Sequence, residues 1–582
     1  MLRSLTNRIT IAAVMFLVFL LVVLLVARSP RQLMTASSPP QLLSDPFLQL
    51  PTSNSVRVVW FTQFAGAKHT VAYGENLQKT ATATTTKLSR TREDRNSRVG
   101  AQTQDGQVYQ KLTNRDIWRH EAEVTGLTPS QRLPYAVTSV REDGQSVSSA
   151  KFTLAAAPAP GTPMKILLTS DHQLKPMVAA NLQKAIETVG RVDAVFLAGD
   201  LVNIPDRASE WFDDNRGGAF FPCLQGKANY QLAKTVYKGG EIIQHSPLFA
   251  AIGNHEVMGR FGRSNSLDGE FNDAFPRKVA QLLQVNPSAD DRTLKDRSFN
   301  SDTYEEIFTL PENSPGGKTY YAVTFGDVRL VVLYATNMWR SPKVAPDVRG
   351  KYQERQQDLN TPQNWGHGQV IFGAIAKGTL QYDWLVQELK SPQFKQAKYK
   401  IVMLHHPPHS LGDNIVPAYT EPVQIVDRTE DGSIKAVRYE YPKQADYLIR
   451  DLVPLLEDSG VQLVFYGHSH LWNRFVSSSG TNYLETSNVG NSYGAAIGSK
   501  KREVPIENDE DYIAIGDPNG LQPVEPTLAP IIDKDGNPLP YVASNDITAF
   551  SIFDTLTGIV SSYRFDTRIP ESDVMKFDEF EL

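Results

Sequence analysis

Five short segments between Asp171 and His470 each set oxygen or imidazole donors just past a run of strand-forming apolar residues. They are Asp171-His172-Gln173, Gly199-Asp200, Gly253-Asn254-His255-Glu256, His405-His406-Pro407 and Gly467-His468-Ser469-His470. The runs before them are Ile166–Leu168, Val195–Leu197, Leu248–Ile252, Ile401–Leu404 and Val461–Phe465. In an open α/β sheet the carboxyl ends of the strands are where a ligand site forms. The segments therefore predict an α/β body whose strand ends converge on one metal site. Any one of them is commonplace; their order, strand context and share of the histidines, six of eleven, carry the reading.

Along an extended chain successive side chains point to opposite sides, and i and i+2 share one. Asp171 and Gln173 are expected to face one ion while His172 points away. His468 and His470 are expected to lie together with Ser469 turned from them. A carboxylate has two oxygens, so Asp200 can bridge two cations. Asn254 offers a carbonyl oxygen and His405 an imidazole.

At 582 residues, with 41% hydrophobic and 21% charged, the chain is long enough for more than one domain around a sizeable core. Its net charge of −5 gives no nucleic-acid footprint, so an anionic substrate has to be drawn by local positive charge such as metal ions. Cys223 is the single cysteine, which excludes an intrachain disulfide. With no histidine or acid pattern around it, it reads as a small buried hydrophobe.

Ile9 to Ala27 contains no charged residue, with Arg3 and Arg8 before it and Arg28 and Arg31 after it. That length suits a membrane-spanning helix. A cleaved signal peptide has a shorter apolar region and a small-x-small site, which Leu25-Val26-Ala27 matches poorly. Residues 1–28 are expected to be a retained signal anchor, with cleavage and secretion as the alternative. Lys/Arg counts nearly balance across the span; the leading basic end and the large folded body place the N-terminus inside and the body outside.

Residues 29–44 read as a polar tether. From 45 to 154, short alternating strands, among them Val56, Val58 and Trp60, are separated by turns such as Asp143-Gly144, the pattern of a β-sandwich. Residues 155–163 are a linker rich in Ala and Pro. Residues 164–570 then alternate strand and helix. Lys165–Thr169, a helix from Pro176 to Val189 and Ala194–Ala198 make a βαβ unit with parallel strands. Tyr320–Phe325 and Val328–Tyr334 form a hairpin, and Gln444–Asp458 a core-facing helix bent at Pro454. Two stretches interrupt this body: 259–302, rich in Arg, Asn, Asp and Ser, and 500–545, with seven prolines. They are either loops around the site or plain surface insertions.

This set of motifs resembles the calcineurin-like metallophosphoesterase superfamily, and the sandwich before it is similar to the fibronectin-III-like domain of purple acid phosphatases. Tyr320-Tyr321 and Gln381-Tyr382-Asp383-Trp384-Leu385 also resemble that group. The resemblance runs from about Asp45 to Thr567. It implies an α/β (α+β) chain with a four-layer αββα sandwich behind the fibronectin-III-like domain. The implied activity is a metal-dependent phosphoric ester hydrolase of the acid phosphatase kind, cleaving phosphate monoesters by attack of a metal-bound hydroxide. One metal would be held by Asp171, Gln173, Asp200 and His470, and the second by Asp200, Asn254, His405 and His468. His255 would contact the phosphate or protonate the leaving oxygen. The ions would be two divalent or di/trivalent metals from Mn, Fe, Mg or Zn, with Mn and Fe favoured. Two cations roughly 3.5–4 Å apart clamp the attacking and leaving oxygens of an in-line displacement. The chain points to a phosphate ester and a membrane as partners and to no particular protein.

Two positions depart from the family pattern. Gln173 stands where the first motif has a histidine, and a neutral, harder carbonyl ligand tilts that site toward Mn²⁺ or Mg²⁺ over zinc. A swing of His172 into the site and a weak first site stand as alternatives. Asn203 stands where purple acid phosphatases carry the iron-binding tyrosine, so the iron-loaded protein is expected to be colourless. Glu256 either orients His255 or is an ordinary surface acid. His406 and His409 are read as loop caps, with substrate contact as the alternative, His69, His120, His245 and His367 as structural or exposed, and Gly239-Gly240 and Gly316-Gly317 as turns. Two further readings compete: a phosphodiesterase on nucleotide or lipid head-group diesters, and a non-catalytic anchored binding module. The near-complete ligand set argues against the second.

Overall fold

Strands that are apolar in unbroken succession are buried on both faces, and the central strands of the body from residue 164 onward, such as Ala194–Leu197 and Leu463–Tyr466, are of this kind. The computed structural model describes residues 39–100, 109–283, 290–338, 340–343, 345–505 and 512–582. One six-stranded sheet runs in the order Leu248–Ala250, Ala194–Leu197, Lys165–Thr169, Ile547–Asp554, Ile559–Asp566 and Met575–Glu581. Its first three strands are parallel and the rest antiparallel. A seven-stranded sheet runs in the order Tyr321–Phe325, Val328–Val332, Tyr399–Met403, Leu463–Tyr466, Asn482–Thr486, Trp472–Val476 and Tyr541–Val542.

Side-chain alternation divides the seven-stranded sheet between two cores. Leu330, Val332, Ile401, Met403, Leu463 and Phe465 pack with Ile166, Phe196 and Phe550 of the first sheet. Their neighbours Val331, Val402, Val464 and Tyr466 pack instead with Leu385, Leu448, Leu452 and Leu456 of the covering helices. The Val178–Val189 helix packs on the first sheet through Leu182 and Ala185.

The structure departs from the sequence reading at two elements. Residues 444–458 do not form one bent helix: a 3₁₀ turn at Lys443–Ala445 and a π turn at Leu448–Leu452 precede a short α-helix, Val453–Asp458. Pro454 has no N–H to give the carbonyl four residues back, and its ring crowds that carbonyl; the wider π turn makes room. The α/β body also extends beyond residue 570, since Met575–Glu581 adds an edge strand to the first sheet.

The front sandwich pairs Phe47–Gln49, Ser55–Thr62, Trp118–Thr125 and Thr84–Lys87 in one sheet, and in the other Ser146–Ser148, Leu133–Val140, Lys68–Tyr73 and Lys79–Thr82, with Phe152–Leu154 beside Leu133–Val140. Val58 and Trp60 fill its core, while Val59 and Phe61, one residue on, enter the core of the α/β body. Buried ion pairs join the two parts: Arg92 to Asp206 and Glu270, and Arg207 to Asp94. The segment 259–302 folds as short helices against these arginines, and Asn300 pairs with Met258. Ile9 to Ala27 lies outside the described residues, and no described helix is long and apolar enough to cross a membrane.

Candidate metal centre

The site lies where the carboxyl ends of both sheets meet. Asp171, Asp200 and Asn254 follow strands of the six-stranded sheet, and His405, His468 and His470 follow strands of the other. The chain turns sharply at each end. Asp171, Gln173, Asp200, His468 and His470 all have positive φ, from 39° to 85°, a left-handed backbone that costs a non-glycine residue about 1–3 kcal/mol. Three glycines allow the turns to close on one another. A Cβ on Gly199 would collide with Gly253 and His405, one on Gly253 with Asp200, and one on Gly467 with Asp171.

The seven ligand-type residues are joined by one buried run of contacts from Gln173 to His470. Gln173 Nε2 donates to Asp200 Oδ2 at 2.5 Å. His405 Nε2 lies 3.2 Å from Asp200 Oδ2 and 3.2 Å from Asn254 Oδ1. Asn254 Oδ1 is 3.1 Å from His468 Nδ1, whose backbone N–H donates to Asp171 Oδ2 at 2.9 Å. His470 Nε2 ends the run, 3.4 Å from Asp171 Oδ1. Backbone carbonyls orient two of the imidazoles: His405 Nδ1 bonds Ala198 O and His470 Nδ1 bonds Asn491 O, leaving both Nε2 atoms toward the acids. Donor atoms of Asp171, Asp200 and His405, and separately of His405, His406 and His468, lie within 4.8 Å of one another.

These groups are short of positive charge. Burial opposes ionisation of Asp200, yet the neighbouring His405 and His255 outweigh it and hold its carboxyl far below the usual range. Burial likewise pushes His405 down, but Asp200 more than offsets it and raises the imidazole to about 10. A cation bound at this place takes over that role and displaces the proton. Asp171 Oδ1, Gln173 Oε1, His406 Nε2 and His468 Nε2 are buried without any hydrogen-bond partner. Buried acceptors are normally paired, and here a cation is the partner that fits imidazoles and carboxyl oxygens together. Gln173 fits conditionally: it turns its amide nitrogen to Asp200, and ligation requires the amide to turn end for end.

His255 stands at the rim, with its backbone N–H on Asp200 Oδ1 at 2.9 Å and its ring 5.0 Å from Phe271 of the 259–302 segment. Its Nδ1 bonds the Asn203 carbonyl at 2.7 Å, so Nε2 is the nitrogen left to exchange a proton. His172 faces elsewhere, with Nε2 on Thr169 Oγ1 at 3.1 Å and its ring near Phe220. Lys175 sits beside the first motif, 3.5 Å from Asn203 Oδ1.

Glu256 neither orients His255 nor lies at the surface. It is fully buried and accepts the backbone N–H groups of Asp200, Leu201 and Gly253, which locks two ligand turns together. Glu485 does the same for the histidine turn, accepting Ser469 N at 2.7 Å and Ser410 Oγ at 2.9 Å. No motif marks Glu485; its only signal is an acid within the apolar-flanked strand Asn482–Thr486. His406 is no loop cap. Its ring stacks on His468 at 3.9 Å and Nδ1 bonds Thr336 Oγ1. His409 does hold a loop, through Asp517 at 2.8 Å, and Asn519 bonds Pro408 O, so the 500–545 segment closes over the His-His-Pro turn. Cys223 is buried, and burial pushes its thiol up to about 12, which leaves it inert.

Residues 164–471 match the family described as Calcineurin-like phosphoesterase, and residues 44–155 match the Purple acid Phosphatase, N-terminal domain. No curated protein matches the chain. Among solved structures, the purple acid phosphatase PPD1 from yellow lupin (Lupinus luteus) seeds is 15% identical, over 93% of this chain and 74% of that one, with a TM-score of 0.51, a likeness of fold. PhoD is 12% identical over 93% of this chain and 92% of that one, at a TM-score of 0.43.

Proposed function

Because the chain belongs to the calcineurin-like phosphoesterase family, whose members are metal-dependent hydrolases with a dinuclear centre, we propose that it hydrolyses phosphate monoesters while held at a membrane by residues 9–27. The observation that carries this is the single buried run of contacts joining Gln173, Asp200, His405, Asn254, His468, Asp171 and His470. Asp171, Gln173, Asp200 and His470 would hold one cation, and Asp200, Asn254, His405 and His468 the other. Mn or Fe suits this mixture of imidazole, carboxylate and amide oxygen. When bound, such a pair supplies positive charge to the phosphoryl oxygens and acidifies water.

The chain's own residues do the rest. Glu256 and Glu485 hold the ligand turns through backbone N–H groups, so the donors do not have to reorganise during turnover. The Asn203 carbonyl fixes the His255 ring and assigns its exchangeable proton to Nε2, placed to pass to the leaving oxygen. Burial lowers the pKa of His255 against the pull of Asp200, which makes its proton easier to give up. The monoester reading rests on the pairing of this catalytic body with a purple-acid-phosphatase-type front domain.

The membrane reading rests on the uncharged run Ile9 to Ala27 between basic residues. It places the N-terminus inside and the body outside. Alkaline carbonate extraction checks it: the full chain should stay with the membrane pellet, and release into the supernatant contradicts a retained span.

Matched assays on an aryl phosphate monoester and diester, after dialysis against chelator and readdition of Mn²⁺, test the activity. The monoester should be cleaved faster and only with metal restored. Preferential diester cleavage contradicts the substrate assignment, and cleavage without metal contradicts the mechanism.

A further inference from the structure

Lys175 is a cation beside the metal centre to which the fold gives no acid of its own. Its Nζ has a single hydrogen-bond partner, Asn203 Oδ1 at 3.5 Å, the outer limit of such a bond. Among the described residues no carboxylate forms an ion pair with it. Burial works against its charge, and the acids that favour it are Asp200, Asp171 and Glu210. Glu210 is already taken, since it pairs with Arg207 at 2.8 Å and accepts the backbone N–H groups of Asn203 and Ile204. Asp171 and Asp200 are the two acids of the metal centre. Once they are committed to cations, the Lys175 ammonium faces positive charge with nothing left to balance it. A partly buried charge in that setting calls for an anion.

The backbone holds Lys175 in this place. Gln173 and Leu174 before it have positive φ, 39° and 53°, a costly conformation for a bulky leucine. Lys175 N–H closes the turn on the His172 carbonyl at 2.7 Å, and Met177 N–H donates to the Val489 carbonyl at 3.0 Å. Two residues past Val489, the Asn491 carbonyl holds the His470 ring. Asn203 turns its amide oxygen to Lys175 and its carbonyl to His255 Nδ1 at 2.7 Å. The ammonium and the His255 ring thus share one anchor at the rim, and Lys175 is among the charges that act on His255.

We propose that Lys175 grips a non-bridging phosphoryl oxygen of the substrate and thereby favours phosphate monoesters over diesters. The inference rests on the phosphomonoesterase reading above and gives its substrate preference a residue. Above about pH 6 a monoester carries two negative charges over three non-bridging oxygens. A diester carries one charge over two such oxygens. A third cation beside a metal pair rewards the second charge, and an ammonium suits it as a compact point charge.

The test uses the purified full chain loaded with Mn²⁺, as wild type, Lys175→Met and Lys175→Arg. Calorimetric titration with inorganic phosphate reads the contact without turnover. Lys175→Met should weaken phosphate binding by about 10–100-fold, the span of one hydrogen bond to a charged group, and Lys175→Arg should restore most of it. Kinetics compare phenyl phosphate with methyl phenyl phosphate, which share a leaving group and differ by one negative charge. The methionine variant should lose kcat/KM on the monoester by a like factor, chiefly through KM, and on the diester by much less. Bound Mn²⁺ should stay at the wild-type level. Phosphate binding as tight as in the wild type, an equal loss on the two esters, or a loss of Mn²⁺ overturns the proposal. If Lys175→Met does not fold, Lys175→Gln carries the same measurements. A wild type that binds phosphate through Lys175 yet cleaves no monoester contradicts the phosphomonoesterase reading and the ester preference, while the oxygen contact stands.

Discussion

The Nδ1 atom of His255 lies 2.7 Å from the backbone carbonyl oxygen of Asn203, which fixes the ring of the proposed proton donor from the loop that follows Asp200. A general acid matters most when the leaving group is poor, because a good one departs without a proton. His255→Asn should therefore lower kcat by about 10²–10⁴-fold on an alkyl phosphate, and by much less on 4-nitrophenyl phosphate. Parallel kinetics on the two esters check this; an equal loss on both places His255 in phosphate binding instead.

Asn203 has a second consequence. Its side chain faces Lys175 and offers no phenolate, so an iron-loaded centre receives no tyrosinate from that position. The iron-loaded protein should be colourless. A visible absorption spectrum decides it, and a strong band near the middle of the visible range contradicts the ligand set.

Glu256 should matter for both stability and metal binding, since it pairs three backbone N–H groups of the two turns that carry Asp200 and Asn254. Glu256→Gln turns an amide nitrogen toward those donors. Leaving buried N–H groups unpaired costs about 1–3 kcal/mol each, and loosened outer partners weaken metal affinity by roughly 10–100-fold. Urea unfolding and calorimetric Mn²⁺ titration of the same variant should both move. A change in neither removes Glu256 from the account.

The front sandwich carries its own acid sensitivity. His120 is buried between Thr62 and Thr85 and stacks on His69 at 3.6 Å. Burial, then the charges of His69 and Arg119, push its pKa down from 6.5 to about 3. The unfolded chain takes up a proton below about 6.5 while the folded one stays neutral. The stability is thus complete above that pH and is lost as pH falls toward the folded value. The slope of about 1.4 kcal/mol per pH unit gives a loss of roughly 2 kcal/mol between pH 6.5 and 5. Urea unfolding at both pH values should show it, and His120→Gln should remove that share. An unaltered difference in the variant assigns the acid sensitivity elsewhere.

The donors at the strand ends were readable because oxygen and imidazole ligands at the carboxyl ends of buried strands have few other uses. The alternation rule leads to the observed arrangement, with Asp171 and Gln173 in the cluster and His172 turned to Thr169. The backbone reaches it by a left-handed turn at both residues, not by strand geometry. That same departure hides His406: in an extended chain its ring would point away from that of His405, yet the two centroids are 5.3 Å apart. Glu256 and Glu485 were illegible for another reason. Their partners are backbone amides supplied by the tertiary fold, and a sequence shows an acid without showing what it caps. Val59 and Phe61 belong to the same class, since alternation marks two buried faces without saying that the second face is another domain.

The proposed mechanism turns on Asp200 bridging two cations. Metal content per chain, measured by elemental analysis on the purified wild type and on Asp200→Asn after Mn²⁺ loading and gel filtration, tests it most directly. About two ions per chain are expected in the wild type, with a loss of both sites' occupancy, and of turnover, in the variant. Two retained ions and unchanged phosphate ester hydrolysis in Asp200→Asn would contradict it.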